Sequence, residues 1–263
     1  MDQNPLNFID TFGYRVFSDE LGKIPLSGHG AKTLNTISPN SYGLATKDPV
    51  FRDALQETDY LVLDGVYFAL GSILQQGKNI RRNQGPDVFR FYMERMNDAR
   101  GKVFFMGSSD KTLKLMQDRA SEQYPNLQTF AYSPPFKDSF SLEENEQIIN
   151  AINAVRPDIV FVGMTCPKQE KWSVANRDRL NTSLIVSIGN VFDWYAGTQK
   201  SIHPFWFKIR LGWLVRIFLR PEIFKRNIGN QMIYFGDVVK AVVTGRMPNY
   251  ESLYQNSRKT INT

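Results

Sequence analysis

Four places in this chain set chemically capable residues directly behind a short apolar run. In TDYLVLDG (58–65) the run ends in Asp64 and Gly65. A carboxylate there can deprotonate an attacking hydroxyl, and the glycine lets a ligand approach the backbone closely; the same carboxylate can equally cap the next helix. KVFFMG (102–107) runs into Gly107, Ser108 and Ser109, a small-residue loop whose N–H groups suit a phosphate and whose serines suit an N-cap equally well. GMTCPKQEKW carries Gly163, Lys168, Gln169 and Glu170 around Pro167. Gln169 and Glu170 can each read a sugar hydroxyl or a base edge, whereas Lys168 is also accounted for as a solvated charge. GNVFDWYAG carries Asn190 and Asp193; Asp193 can orient a substrate or be satisfied by its own backbone neighbourhood. Cys166 has no histidine near it in sequence to activate it and reads as a small packing residue.

Missing motifs narrow the chemistry. One cysteine and two separated histidines, His29 and His203, leave no cysteine- or histidine-rich metal cluster. There is no Asp-x-Asp pair, no G-x-G-x-x-G and no G-x-x-x-x-G-K-[ST]. No metal and no organic cofactor is therefore expected, and a P-loop enzyme or a dinucleotide oxidoreductase is disfavoured. The net charge of +6 points to an anionic partner, which charge alone leaves open between nucleic acid, a nucleotide and an acidic membrane surface.

The elements that must position these loops are legible in outline. The runs at 58–65, 102–107, 157–163 and 183–189 are continuous in Val, Ile, Leu and Phe, the pattern of strands covered on both faces, and helix-like sequence follows each. The fold class is therefore α/β, a Rossmann-like parallel sheet flanked by helices, with ligands expected at the carboxyl ends of the strands. Ser38-Pro39 and Asp48-Pro49 read as helix starts, and Val88, Phe89, Tyr92 and Met96 line one side of a helix from about Gly85 to Ala99. A break near 197–204 divides a core, 1–203, from a helical appendage, 204–263. In the appendage Phe205, Trp206, Phe207, Trp213, Phe218 and Phe224 are interleaved with basic residues, a composition suited to an anionic membrane surface. No run reaches the roughly 18 to 20 apolar residues that span a bilayer, and the first residues lack a signal-type core, so a cytoplasmic, peripheral location is expected.

In this order the blocks resemble the WecG/TagA/CpsF glycosyltransferase family. TISPNSYGLATKDPVF looks like its opening Thr-x-Asn block and the Asp-Pro that follows, LDGVYFAL its Asp-Gly block, and RRNQGPDVF, with Arg82 and Asp87, its Arg-x-x-Gly-x-Asp block. GMTCPKQEKW and IGNVFDWYAG resemble two further family blocks. The resemblance implies an inverting, metal-independent enzyme. It would move a sugar, often N-acetylmannosamine or its uronic acid, from a UDP-sugar to an undecaprenyl-diphosphate-linked saccharide at the inner face of the cell membrane. It also implies Asp64 as base, Thr36 as the active-site threonine, Arg216 and Arg226 as arginines that hold the UDP diphosphate, and an appendage that closes the site at the membrane.

Three departures stand out. Ser38 replaces the usual Asn of the opening block. Arg220-Pro221 and Ile223 replace Glu-Pro and a later Arg, making Arg220 the candidate substitute. Ile202-His203-Pro204 replaces Arg-Ala-Pro, which bears on sugar preference, since some relatives are credited with transferring glucose. The competing reading is a basic nucleic-acid-binding α/β protein without enzymatic activity, which predicts steeply salt-dependent oligonucleotide binding and no UDP affinity; the glycosyltransferase reading expects no nucleic-acid partner. A homo-oligomer is compatible with either.

Overall fold

The computed structural model describes residues 5–26, 30–65, 67–199 and 221–246. Its centre is an eight-stranded sheet. The strands are β1 (Phe8–Thr11), β2 (Tyr14–Phe17), β3 (Lys32–Ile37), β4 (Tyr60–Leu63), β5 (Lys102–Gly107), β6 (Gln128–Tyr132), β7 (Ile159–Gly163) and β8 (Leu184–Ser187), in the order β1-β2-β4-β3-β8-β7-β5-β6. All pairings are parallel except the β1–β2 hairpin. The helices are α1 (Pro39–Ala45), α2 (Pro49–Gln56), α3 (Ala69–Gln76), α4 (Gly85–Asp98), α5 (Asp110–Gln123), α6 (Leu142–Val155), α7 (Lys168–Asn176), α8 (Val191–Ala196) and α9 (Pro221–Thr244).

The apolar runs behave as double-sided strands must. Ile159 and Phe161 of β7 enter one core and Val160 and Val162 the opposite one; β5 divides in the same way, Val103 and Phe105 against Phe104 and Met106. The first face is covered by α4, α5 and α8, the second by α6 and α7. A third cluster, over β1, β2 and β4, takes Tyr42 of α1, Ala69 of α3, and Tyr234, Val238 and Ala241 of α9.

Both sequence-read helix starts are present. Ser38 caps α1 in a reciprocal capping box with Ser41, and Asp48 Oδ1 accepts from the Phe51 N–H at 3.0 Å; such caps contribute about 1 kcal/mol each. Helix α4 buries Val88, Phe89, Tyr92 and Met96, as its spacing predicts.

Helix α9, the described part of the stretch read from the sequence as an appendage, is built into the third cluster. A Cβ on Gly43 of α1 would lie 2.0 Å from the Asn230 carbonyl oxygen, so glycine alone permits this approach. Tyr234 is fully buried, stacks on Phe68 at 4.8 Å between ring centroids, donates to the Phe68 carbonyl at 2.6 Å and accepts from the Gly71 N–H at 3.2 Å. Tyr42 donates to Asp237 at 2.7 Å. No helix among the described residues is long and apolar enough to cross a membrane.

Candidate active site at the carboxyl ends of the strands

The connection leaving β3 enters the third cluster through α1, whereas the one leaving β8 enters the first through α8. Neighbouring strands whose exits diverge to opposite faces open a crevice at their carboxyl ends, the usual ligand site of such sheets. Among the predicted residues, Asp64, Gly107, Ser108 and Gly163 stand at carboxyl ends of strands of this sheet.

Asp64 stands at the exit of β4, exposed, with its N–H donating to the Ile37 carbonyl at 2.9 Å. Thr36 pairs with Val62 in the register. Paired residues of parallel strands share a face and alternate residues return to it, so Asp64, two beyond Val62, falls on the side of Thr36. The backbone of Arg82 bridges Leu63, which brings this exposed cation to the same strand end. At the other side of the crevice Gly85, the first residue of α4, abuts Val191 and Ile188, tying the helix N-terminus to the exit of β8.

Several predicted contacts have structural work of their own. Ser38 Oγ accepts from the Ser41 N–H at 3.3 Å, so the residue that replaces the usual Asn serves as a cap. Asp87 forms an exposed ion pair with Arg90 at 3.3 Å. Asp193 accepts from Thr198 at 3.1 Å and Gln199 at 3.1 Å, and Asn190 is bonded to Gln199 at 3.0 Å, so the pair holds the turn after α8. Gly107 and Gly163 pair across β5 and β7, and a Cβ at either would collide, with the Gly163 carbonyl at 2.7 Å or the Phe192 ring at 2.3 Å. Close packing requires both glycines. Ser108 follows at φ +60, left-handed backbone that an L-residue adopts at a cost of about 1–3 kcal/mol. Its carbonyl accepts from Ser133 at 2.8 Å, and Ser109 caps α5.

Gln169 and Glu170 reach the rim from α7, on the face opposite Thr36. Both are buried, and the Gln169 amide donates to Glu170 Oε1 at 2.8 Å. Burial pushes the Glu170 carboxyl above the usual carboxylate range, against the opposing pull of the Gln169 N–H. Burial likewise pushes the Cys166 thiol well up, with Glu170, Asp64 and Asp48 adding to the effect, which agrees with a packing residue. Lys168 lies over the Phe140 ring at 3.6 Å, and its desolvation lowers the ammonium below the usual lysine range.

Sequence reasoning passed over Asp48 and Lys171 as a pair. Besides capping α2, Asp48 binds the Lys171 ammonium and ties α2 to α7; only the adjacency of Asp48 to Pro49 signalled any role for it. Of the C-terminal arginines, Arg226 is exposed on α9 and bonds its neighbour Asn227 at 3.4 Å, while Arg216 and Arg220 lie outside the described residues. Asn230, one turn beyond Arg226, reaches Asn40 in the first turn of α1 at 3.2 Å, which packs α9 close to the exit of β3.

With this arrangement in view, residues 9–247 match the glycosyl transferase WecG/TagA/CpsF family. The chain belongs to that family. It is 24% identical over 228 residues to an N-acetylglucosaminyldiphosphoundecaprenol N-acetyl-beta-D-mannosaminyltransferase of Bacillus subtilis (strain 168), covering 87% of this chain and 84% of the relative. It is also 24% identical over 248 residues to the Bacillus spizizenii enzyme of the same name, covering 94% and 93%, and 24% identical over 181 residues to that of Staphylococcus aureus (strain NCTC 8325 / PS 47), covering 69% of each. This WecG/TagA/CpsF member is a glycosyltransferase, and the exits of β3, β4, β7 and β8 are its candidate active site.

Proposed function

We propose that this glycosyltransferase moves a sugar of the N-acetylmannosamine type from a UDP-sugar to an undecaprenyl-diphosphate-linked saccharide, with inversion and without a metal ion. The observation that carries the reading is the exposed Asp64 carboxylate at the exit of β4, in register with Thr36 and beside the bridged Arg82. Asp64 takes the proton of an acceptor hydroxyl as the hydroxyl oxygen attacks the anomeric carbon and the bond to UDP breaks. The departing diphosphate gathers negative charge, which Arg216, Arg220 and Arg226 are placed in sequence to balance. The names of the relatives support the acceptor class and the sugar.

A peripheral position on the inner face of the cell membrane follows from a lipid-linked acceptor, with the aromatic and basic stretch from Phe205 to Arg226 as the contacting element. Glucose is the second sugar to test, because Ile202-His203-Pro204 departs from the family pattern. The experiment is mass spectrometry of products from a panel of UDP-sugars and a short-chain diphospholipid acceptor. Transfer of N-acetylmannosamine is expected; no product from any UDP-sugar would remove the reading.

A further inference from the structure

Helices α3 and α9 close the third cluster, and the surface they turn away from it is apolar. Helix α3 is seated by Ala69, Gly71 and Ser72, all buried. A Cβ on Gly71 would lie 2.2 Å from the Phe12 ring, so this side is pressed against the core. That rotation leaves Leu70, Ile73 and Leu74 exposed, on a helix, ALGSILQQ, that carries no charge. On α9 the buried line is Tyr234, Val238 and Ala241, while Met232, Val239 and Val243 are each more than half exposed. At helical spacing Phe235 falls between these two lines, and it meets Tyr67, just before α3, edge-on at 6.3 Å between ring centroids. The two exposed stripes are therefore neighbours. Together they form one apolar face, and a face of this kind marks an interaction site.

Its place points to the occupant. Only residues 65–68 join Asp64 to the first turn of α3, so the face begins beside the proposed base. An undecaprenyl-diphosphate-linked acceptor has to bring a sugar hydroxyl to Asp64 while the far end of its lipid stays in a bilayer, so the first units of the chain cross protein surface. Apolar ground there takes them out of water. From Met232 to Val243 the helix rises about 16 Å, room for a few isoprene units. Exposed cations stand around the face, Lys78 past the end of α3 and Lys225, Lys240 and Arg246 on α9, which suits the diphosphate at the head of such a chain.

We propose that the apolar face of α3 and α9 binds the prenyl units nearest the diphosphate of the lipid-linked acceptor, and so makes the enzyme sensitive to the length of that chain. The proposal rests on the sugar-transfer reading above. It separates two tasks: attachment to the membrane, assigned above to the stretch from Phe205 to Arg226, and reception of the substrate's own lipid as its sugar reaches Asp64.

The test uses the full chain, a UDP-sugar that the wild type transfers, and N-acetylglucosaminyl-diphosphate acceptors whose chains lengthen from geranyl to farnesyl to geranylgeranyl. Each acceptor is kept below its micelle-forming concentration, with no membrane or detergent present. The readout is the ratio of KM for the geranyl acceptor to KM for the geranylgeranyl acceptor. In the wild type it is expected to be about tenfold or more, since each methylene taken out of water contributes about fourfold. In the double variant Leu74→Gln, Val239→Gln it is expected to fall below about threefold. Both side chains are exposed, so the fold should tolerate the changes, and a loss of folded protein would lower the rate with every acceptor alike and leave the ratio where it was. Photocrosslinking of the wild type with a benzophenone-bearing prenyl acceptor should label α3 or α9. A flat ratio in an active wild type, a wild-type ratio retained by the double variant, or label confined to other segments would overturn the proposal. A retained ratio with weakened flotation on anionic vesicles reassigns the face to the bilayer, and a retained ratio with a smaller sedimenting species reassigns it to a second copy of the chain. A wild type inactive with every UDP-sugar and acceptor removes the transfer reading, whereas an active wild type with a flat ratio removes this proposal alone.

Discussion

The backbone N–H of Asp64 donates to the carbonyl oxygen of Ile37 at 2.9 Å, so the carboxylate at the end of β4 is referenced to the strand that carries Thr36. A base held by its own backbone keeps its place when its side chain changes. Asp64→Asn is therefore expected to fold and bind UDP as the wild type does, and to lose turnover by roughly two to four orders of magnitude. Calorimetry with UDP and a transfer assay check the two halves separately; near-normal turnover would take Asp64 out of the mechanism.

Transfer should survive EDTA. The sequence has no Asp-x-Asp pair, and among the described residues no group of three or more His, Cys, Asp or Glu is placed to hold an ion. Rates measured before and after chelation, with magnesium and manganese added back, settle the point. An absolute metal requirement would contradict it and make Asp64 the first ligand to test.

Stability should depend on the contact of α9 with α1 and α3. Tyr234→Ala removes a fully buried ring and is expected to cost about 3–5 kcal/mol. Tyr234→Phe keeps the ring but strands the Phe68 carbonyl and the Gly71 N–H, for about 1–3 kcal/mol. Urea denaturation measures both. A chain cut near Lys200 would expose Phe12, Tyr42 and Phe68 and is expected to aggregate; a soluble, cooperatively unfolding truncation would show that α9 contributes little to the core.

Glu170 gives the protein a pH signature. Its folded-state pKa lies above the unfolded value, so the fold holds that proton more tightly than the unfolded chain. This contribution is complete below about pH 4.3, the ordinary glutamate value, and is lost as pH rises through the folded value. Glu170→Gln cannot lose it. The stability of that variant relative to wild type is expected to be constant in acid and to rise with pH above about 4.3, measured by urea unfolding from pH 4 to 8. A difference that stays flat over that range would mean that Glu170 ionises normally.

Strands β4, β5, β7 and β8 were legible because each is apolar on both faces, and α1, α2 and α4 because their caps or spacing are explicit. The β1–β2 hairpin left little signal. Its two-residue turn is Phe12-Gly13, both at positive φ, where Asn-Gly would have announced it. Phe12 occupies that backbone because its ring is wholly buried against Tyr42 and Tyr234, partners 30 and more residues away that a local reading does not see. Strand β3 was obscured by Thr33, Asn35 and Thr36, whose polar side chains are placed by bonds to Asp59, Thr58 and Ser173 or by the rim. At the site, motif spacing pointed to Asp64, Gln169 and Glu170, but the orientation of the Gln169 amide is a three-dimensional fact, and the local tasks of Ser38 and Asp193 appear only once their neighbours are in place.

The burial of Tyr234 against Phe12, Tyr42 and Phe68 has a consequence for how the protein is made. The ribosome releases Phe12 and Phe68 long before α9, and at about 5–20 residues per second the interval is on the order of ten seconds. Throughout it the apolar ground over β1, β2 and β4 is covered by α1, α2 and α3 but not by α9, while the strands and helices of the other two clusters are already complete by Ala196. The surface that Phe12 and Phe68 help to build is thus completed only after the other two clusters, so its packing is the last of the three to close during synthesis.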